Sequence, residues 1–271
     1  MSNQTPSPPA ETAGDAKPDC AEIRQYFDQL SIGRNEAIQS NPIIHYEQAM
    51  RARTVLDMLA VQPGERVLDI GCGNARDMIK LVECGAKVVG VDISEGMVAG
   101  ARQEFELHGI IGVDLQVGDA TCLNFADSSF DKILCSEVIE HIPDAAKALR
   151  EMCRLLKPSG RLVLSTPNSA SWYGFERYVL WEKILRRSWS HPCDEWRSTA
   201  ELESLVMENG LRISQLKSVC YIPGFLVTYF LLPSLLQSLL VGWIGHIERT
   251  LRRWFPKRGY TICILASRDQ K

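Results

Sequence analysis

The sequence predicts an α/β fold built on a doubly wound, mainly parallel sheet. Three observations carry this. Val67-Leu68-Asp69-Ile70-Gly71-Cys72-Gly73 is an apolar strand entering a Gly-x-Gly turn, and 75–82 then reads as helix. A second apolar strand, Lys87-Val88-Val89-Gly90-Val91-Asp92, ends in an acid about 20 residues past those glycines. Beyond it, short apolar runs alternate with amphipathic helical stretches, the pattern of right-handed crossovers in a parallel sheet.

At 271 residues and 45% apolar content the chain makes one α/β domain with insertions, or at most two small domains. A net charge of −3 gives no global case for a nucleic-acid binder. The nine cysteines show no C-x-x-C spacing, so unpaired thiols in a reducing compartment are expected. Cys72 reads as a small packing residue of the turn. No basic stretch followed by an apolar one opens the chain, so no secretory signal is expected and the protein is placed in the cytoplasm.

Taken in order, 1–20 is rich in Pro, Ser, Thr and Ala and reads as a disordered tail. The segment 22–30 forms a short amphipathic helix, Asn41-Pro42 signals a turn or helix start, and 46–59 forms a longer helix ended by Gln62-Pro63-Gly64. Strands follow at about 66–70, 87–91, 113–117, 130–135 and 161–165, with helices at about 74–84, 94–107 and 144–156. Lys157-Pro158-Ser159-Gly160 closes the last of these helices. A helix over 201–209, strand six at 211–219 and a final apolar strand at 260–266 complete the domain. The boundaries expected are a tail over 1–20, cap helices over 21–62, the main domain over 63–220 and 259–271, and an apolar helical insertion over 221–258.

The glycines of the first turn let backbone approach a ligand. Asp92 stands where a ribose-binding carboxylate belongs in a nucleotide fold. A nicotinamide dinucleotide suits the turn poorly. Arg76 holds the place of the third fingerprint glycine, and Asp69 favours a cation over a pyrophosphate. At these residues the chain resembles the class I S-adenosylmethionine-dependent methyltransferases, whose donor carries a sulfonium and an amino group and no phosphate. The resemblance implies a seven-stranded Rossmann-like sheet with the last strand antiparallel between strands five and six. It also implies N-terminal helices that cap the donor pocket. Of Gly118-Asp119-Ala120 after strand three, it assigns the acid to the adenine amine; a helix-capping turn is the alternative. Ile93 and Met97 offer an apolar platform for adenine, or core packing. Asp69, Gly71, Gly73, Asp92, Ile93, Met97, Asp119, Ala120 and Ser136 are the candidate donor-binding residues.

Strand four runs into Ser136-Glu137-Val138-Ile139-Glu140-His141-Ile142-Pro143. On a helical turn, Glu137, Glu140 and His141 at i, i+3 and i+4 share one face. Two carboxylates and an imidazole suit a divalent cation such as Mg or Zn; the alternative is that His141 orients the loop. His191, in a loop otherwise full of aromatics, is a fourth candidate ligand. Glu137, His141 and His191 are also the candidate catalytic residues. Glu-x-x-Glu-His with a later loop His resembles two metal-using branches, the ubiquinone-biosynthesis O-methyltransferases and the small-RNA 2′-O-methyltransferases. The quinone branch is the better match, from about Asn41 to Leu211. An Arg that follows Asn-Pro in that branch is Ile44 here, so the contact with the donor carboxylate must come from elsewhere, with Arg51 and Arg53 as candidates.

From 218 to 247 there is no Asp, Glu, Lys or Arg. The segments 224–232 and 234–245 read as two apolar helices split by Pro233, with Arg249, Arg252, Arg253, Lys257 and Arg258 after them. At 1.5 Å per residue they reach roughly 14 and 18 Å, short of a bilayer core about 30 Å thick. An interfacial hairpin with basic residues at the headgroups fits this; an extra core pair or a dimer interface is the alternative. Trp172, Tyr173, Phe175, Tyr178, Trp181, Trp189 and Trp196, with Arg177, Arg186 and Arg187, offer a second aromatic-basic contact.

The resulting expectation is a peripheral membrane enzyme that moves the methyl of S-adenosylmethionine to an oxygen of a lipophilic, quinone-like or lipid-linked acceptor. A metal-free methyltransferase of a sugar or tailored metabolite and a non-catalytic donor-binding subunit are its rivals. No nucleic-acid partner is expected, and the oligomeric state is left open.

Overall fold

A computed structural model describes residues 19–31, 41–186, 193–221 and 234–269. Of the tail expected over 1–20, 1–18 lies outside the described residues, as do the helix over 224–232 with Pro233 and the loop holding Arg187, Trp189 and His191; Asp19, whose side chain caps it, and Cys20 instead open the first helix. Among those described, one seven-stranded sheet runs β3-β2-β1-β4-β5-β7-β6. Its strands are β1 (Arg66–Ile70), β2 (Lys87–Asp92), β3 (Asp114–Val117), β4 (Phe130–Ser136), β5 (Leu156–Pro167), β6 (Leu211–Val219) and β7 (Thr261–Arg268). Pairing is parallel from β3 to β5, and β7 lies antiparallel between β5 and β6.

The strands are apolar on both sides because both sides are covered. On one face Leu68, Ile133, Leu162 and Ile264 pack against α5 (Ala145–Leu155) and α7 (Thr199–Glu208). On the other, Val67, Leu134, Val163 and Cys263 pack against α2 (Pro42–Leu59), α3 (Arg76–Glu83) and α4 (Glu95–Leu107). The register is pinned, because a one-residue slip would exchange these two sets. Asn41 caps α2 and Pro42 takes its first position, so the helix begins four residues earlier than its apolar pattern predicts.

Two sequence expectations are corrected. Lys157-Pro158-Ser159-Gly160 does not end the helix before it. Leu156 pairs with Phe130 and Arg161 with Lys132, so these four residues bulge out of the ladder. The helix predicted over 234–245 runs on to Trp254 as α8 (Ser234–Trp254, 21 residues). No Gly or Pro follows Gly245 in the helix, and buried Glu248 anchors it, accepting from Tyr46 Oη at 2.9 Å and from the Tyr221 amide at 2.8 Å.

The strand order reverses between β1 and β4, and a doubly wound sheet binds ligands at such a point. There Gly71 adopts φ +70°, and its amide donates to the Val91 carbonyl at 2.7 Å. A Cβ on Gly71 would lie 2.2 Å from Val138 Cγ2. Gly71→Ala is therefore expected to cost about 1–3 kcal/mol through strain and overpacking. Urea denaturation measures this; an unchanged midpoint would show that the turn relaxes freely.

Candidate functional site

The carboxyl ends of β1, β2, β3 and β4 border a cavity of ≈ 390 Å³. Asp69, Gly71, Gly73, Asp92, Ile93, Met97, Asp119, Ala120 and Ser136 all line it, as do Glu137 and His141. Asp92 holds the turn together. Its Oδ2 accepts from the Gly73 amide at 2.9 Å and its Oδ1 from the Ser94 amide at 3.0 Å. Nothing stands within 4 Å of the position a Cβ would take on Gly73, so the turn opens on the cavity. Asp119 caps its own turn, accepting from the Thr121 amide at 2.8 Å, and faces the cavity as well. Met97 is buried with the rest of the α4 core and still reaches the cavity wall.

Helix α1 (Cys20–Leu30) closes the cavity from outside. Its Asp28 accepts from Ser94 Oγ at 2.5 Å and from the Gly96 amide at 3.0 Å, capping the start of α4. This brings Ile23 and Phe27 to the wall, with the Phe27 ring 5.3 Å from that of His141. Helix α2 contributes Arg51. Its Nη1 donates to Asp77 Oδ2 at 3.0 Å and to Ser136 Oγ, and its Nη2 donates to Gln48 Oε1 at 2.8 Å. Burial works against the Arg51 charge, but Asp77 and Glu137 outweigh it and hold the guanidinium protonated. Arg53 is exposed and sits 3.9 Å from Asp57, one turn on along the same helix.

Glu137, Glu140 and His141 do not share the predicted helical face. Glu137 takes φ +57° and precedes a single 3-10 turn, Ile139–His141, so the i, i+3, i+4 rule fails at its first residue. Glu137 Oε1 accepts from Ser165 Oγ at 2.9 Å, whereas Glu140 is buried behind the wall and accepts from Thr166 Oγ1 at 3.0 Å. His141 Nδ1 donates to the Cys193 carbonyl at 2.7 Å, which makes Nε2 the acceptor nitrogen of the neutral ring. Among the described residues no three His, Cys, Asp or Glu side chains converge as metal ligands. The Glu137–Glu140–His141 part of the expected set thus does not come together as a three-residue metal group, and His191 lies outside the described residues.

The carboxylates here have shifted proton affinities. Burial, then the Glu140 charge, pushes Glu137 up to about 8, against the pull of Arg51 and Ser165. Burial does the same to Glu140, also to about 8. Cys72 is buried and its thiol is pushed up by burial and by Asp92, which suits packing and not attack. All nine cysteines are free thiols.

The expected aromatic-basic surface is only partly a surface. Trp172 and Phe175 are exposed, but Tyr173, Trp196 and Arg177 are buried. Arg177 pairs with Asp194 at 2.8 Å and stacks over Trp196 at 4.6 Å. These partners turn its charge inward.

Residues 62–211 match a family described as a methyltransferase domain. The chain is 40% identical over 125 residues to a demethylmenaquinone methyltransferase of Beutenbergia cavernae, covering 46% of this chain and 50% of that protein. It is 30% identical over 212 residues to a demethylmenaquinone methyltransferase of Corynebacterium glutamicum, covering 72% of this chain and 88% of that one. An S-adenosylmethionine-dependent methyltransferase structure from Mesorhizobium loti has the same fold, with TM-score 0.57 at 20% identity over 80% of this chain and 96% of the other. The chain belongs to the S-adenosylmethionine-dependent methyltransferases.

The cavity suits that donor. Burial, then Asp77, raises Asp69 well above the usual carboxylate range; Arg51 opposes this and Asp92 adds to it. A ligand bearing a sulfonium and an ammonium relieves the crowding of these acids. Asp92, Ile93, Met97 and Arg51 all line this cavity. Arg51 Nε is buried with no hydrogen-bond partner among the described residues.

Removing the carboxylate in Asp92→Ala is expected to weaken binding of S-adenosylhomocysteine by about 1–3 kcal/mol, read by calorimetry. Glu140 supplies a second test, through pH. Its folded value near 8 lies above its ordinary 4.5, so the native state holds a proton that the unfolded chain releases between those values. Its stabilising contribution is complete below about 4.5 and is lost as pH rises to about 8. Glu140→Gln should therefore gain melting temperature relative to wild type at pH 8.5 and much less at pH 5. An equal difference at both would contradict the assignment.

Proposed function

We propose that this methyltransferase moves the methyl of S-adenosylmethionine to an oxygen of a lipophilic, quinone-like acceptor at a membrane surface. The observation that carries the chemistry is Glu137 at the cavity wall, accepting from Ser165 and pushed up to about 8. A carboxylate of that affinity matches a general base working near neutral pH. As the acceptor oxygen bonds to the methyl carbon, the carbon–sulfur bond breaks and its electron pair neutralises the sulfonium. The acceptor's proton goes to Glu137. Much of the remaining catalysis is positioning. His141 Nε2 lies 3.8 Å from Glu140 and is a second base on the same wall.

The relatives named as demethylmenaquinone methyltransferases support a quinone-like acceptor. The outer face of α8 supports the membrane surface. Leu236, Leu239 and Trp243 are exposed at i, i+3 and i+7, followed by exposed Trp254 and Phe255. Arg249, Arg252 and Arg253 are exposed on the same helix. Among the described residues no helix is long and apolar enough to cross a membrane. An interfacial helix with basic residues at anionic headgroups accounts for this arrangement.

Two experiments test the reading. Labelled donor incubated with membrane extract should yield a methylated lipophilic product by mass spectrometry, at a rate that rises with pH toward about 8 and falls sharply in Glu137→Gln. A labelled water-soluble sugar product would favour the metabolite rival, and no turnover with any acceptor would favour a non-catalytic subunit. The protein should also sediment with anionic vesicles, and Leu239→Ser with Trp243→Ser should release it while leaving donor affinity unchanged. Wild-type protein that stays in the supernatant as a dimer would make this face an oligomer interface.

A further inference from the structure

Two serines stand where apolar strands reach the cavity. Leu134 and Cys135 on β4 and Val163 and Leu164 on β5 are buried and apolar. Ser136 and Ser165 follow them as register partners, with their hydroxyl oxygens 2.8 Å apart. Ser165 is fully buried, and burying a hydroxyl is costly unless it is hydrogen-bonded. It spends its bonds on Glu137. The Ser165 carbonyl accepts from the Glu137 amide at 2.9 Å, one residue past the end of β4, and its hydroxyl donates to Glu137 Oε1 at 2.9 Å. Glu137 needs this double hold, because φ +57° is a costly conformation that persists only where the surroundings impose it.

The direction of these bonds follows from the groups themselves. A guanidinium only donates, so Ser136 Oγ accepts from Arg51. An ionised carboxylate only accepts, so the one hydroxyl proton of Ser165 goes to Glu137. The Ser136 proton is then the one shared with Ser165. The chain runs one way, from Arg51 through Ser136 and Ser165 to Glu137, with a fixed positive charge at its head. Hydrogen bonds in such a row polarise one another. Arg51, Ser136 and Glu137 line the cavity, whereas Ser165 lies behind its wall.

We propose that Ser165, oriented by Arg51 through Ser136, is the positioning residue that holds the Glu137 carboxylate at the cavity wall for proton transfer from the acceptor. Ser165 touches no cavity-bound group itself and acts through Glu137. Alanine in its place fills nearly the same space, keeps the backbone bond and leaves Glu137 Oε1 without its donor. Arg51 keeps Asp77 at the head of the chain, so the donor side of the cavity is undisturbed. This inference rests on the reading of Glu137 as the general base and adds the residues that set it in place.

The test pairs a double-mutant cycle, on methyl transfer from labelled donor to membrane extract, with infrared spectra of the ligand-free protein. Ser165→Ala should lower turnover about tenfold, the scale of a sub-ångström misplacement, while calorimetry finds S-adenosylhomocysteine affinity unchanged. In a Glu137→Gln background the same change should cost nothing further, because the two residues act as a unit. A merely structural role would lower the rate equally in both backgrounds. Subtracting the Glu137→Gln spectrum isolates the protonated carboxyl band of Glu137. The Ser165 bond pulls Glu137 down against burial, so in Ser165→Ala the band should persist to a pH above the wild-type midpoint near 8. Ser136→Ala, which cuts the chain one link back, should move rate and band the same way by less. An unchanged band in Ser165→Ala, or an equal loss of rate in both backgrounds, overturns the proposal. If the band moves and Glu137→Gln keeps the full rate, the hold on Glu137 stands and the general-base reading fails. If Glu137→Gln loses the rate and Ser165→Ala keeps it, the base reading stands and this inference falls.

Discussion

The buried guanidinium of Arg51 is the constraint on which the site depends. It enters from α2, ahead of the sheet in sequence, and meets Asp77 on α3 and Ser136 at the end of β4. Ser136 is 2.8 Å from Ser165 at the end of β5, and Ser165 donates to Glu137. One run of hydrogen bonds thus joins the cap helix to the ends of two strands and finishes on the carboxylate that faces the cavity. Without Arg51, the acids Asp69, Asp77 and Glu137 would each lose an opposing charge, and an uncompensated buried charge is costly.

The two halves of the sheet do different work. The parallel half, β3 to β5, brings four carboxyl ends to one edge and builds a polar, acid-rich cavity for a cationic donor. The half beyond β5 adds an antiparallel strand and a set of buried aromatics. Asn168 fastens the two, since its amide donates to the Tyr260 carbonyl at 2.7 Å and its side chain to the Lys257 and Gly259 carbonyls at 3.0 and 2.9 Å. The 193–197 loop is tied in as well, through the Glu195 amide on the Glu140 carbonyl at 2.9 Å. Tyr260 is held by backbone at both its amide, on the Cys220 carbonyl, and its carbonyl.

The donor half was legible because its signals are local. The glycine turn, the acid ending β2 and the acid after β3 each sit in a short stretch whose period and spacing carry the geometry. What Ile44 lacks pointed to Arg51 or Arg53; of these Arg51 is buried at the cavity and Arg53 is exposed. The Glu137–Glu140–His141 spacing misled because Glu137 is left-handed, which spacing alone does not report. The extent of α8 was missed because the change from apolar to basic residues looked like a boundary, while the helical period continues through it. Glu47, Tyr173 and Tyr260 leave no local signal, since they meet from α2, α6 (Trp172–Phe175) and the start of β7.

The most direct measurement is a crystal structure of the protein with S-adenosylhomocysteine. The account predicts the ribose hydroxyls on Asp92, adenine against Ile93 and Met97 beside Asp119, and the amino-acid end between Asp69 and Arg51. The sulfur should then face the wall that carries Glu137. Density for the ligand elsewhere, or in this cavity with its sulfur turned away from Glu137 and its ribose clear of Asp92, would contradict it.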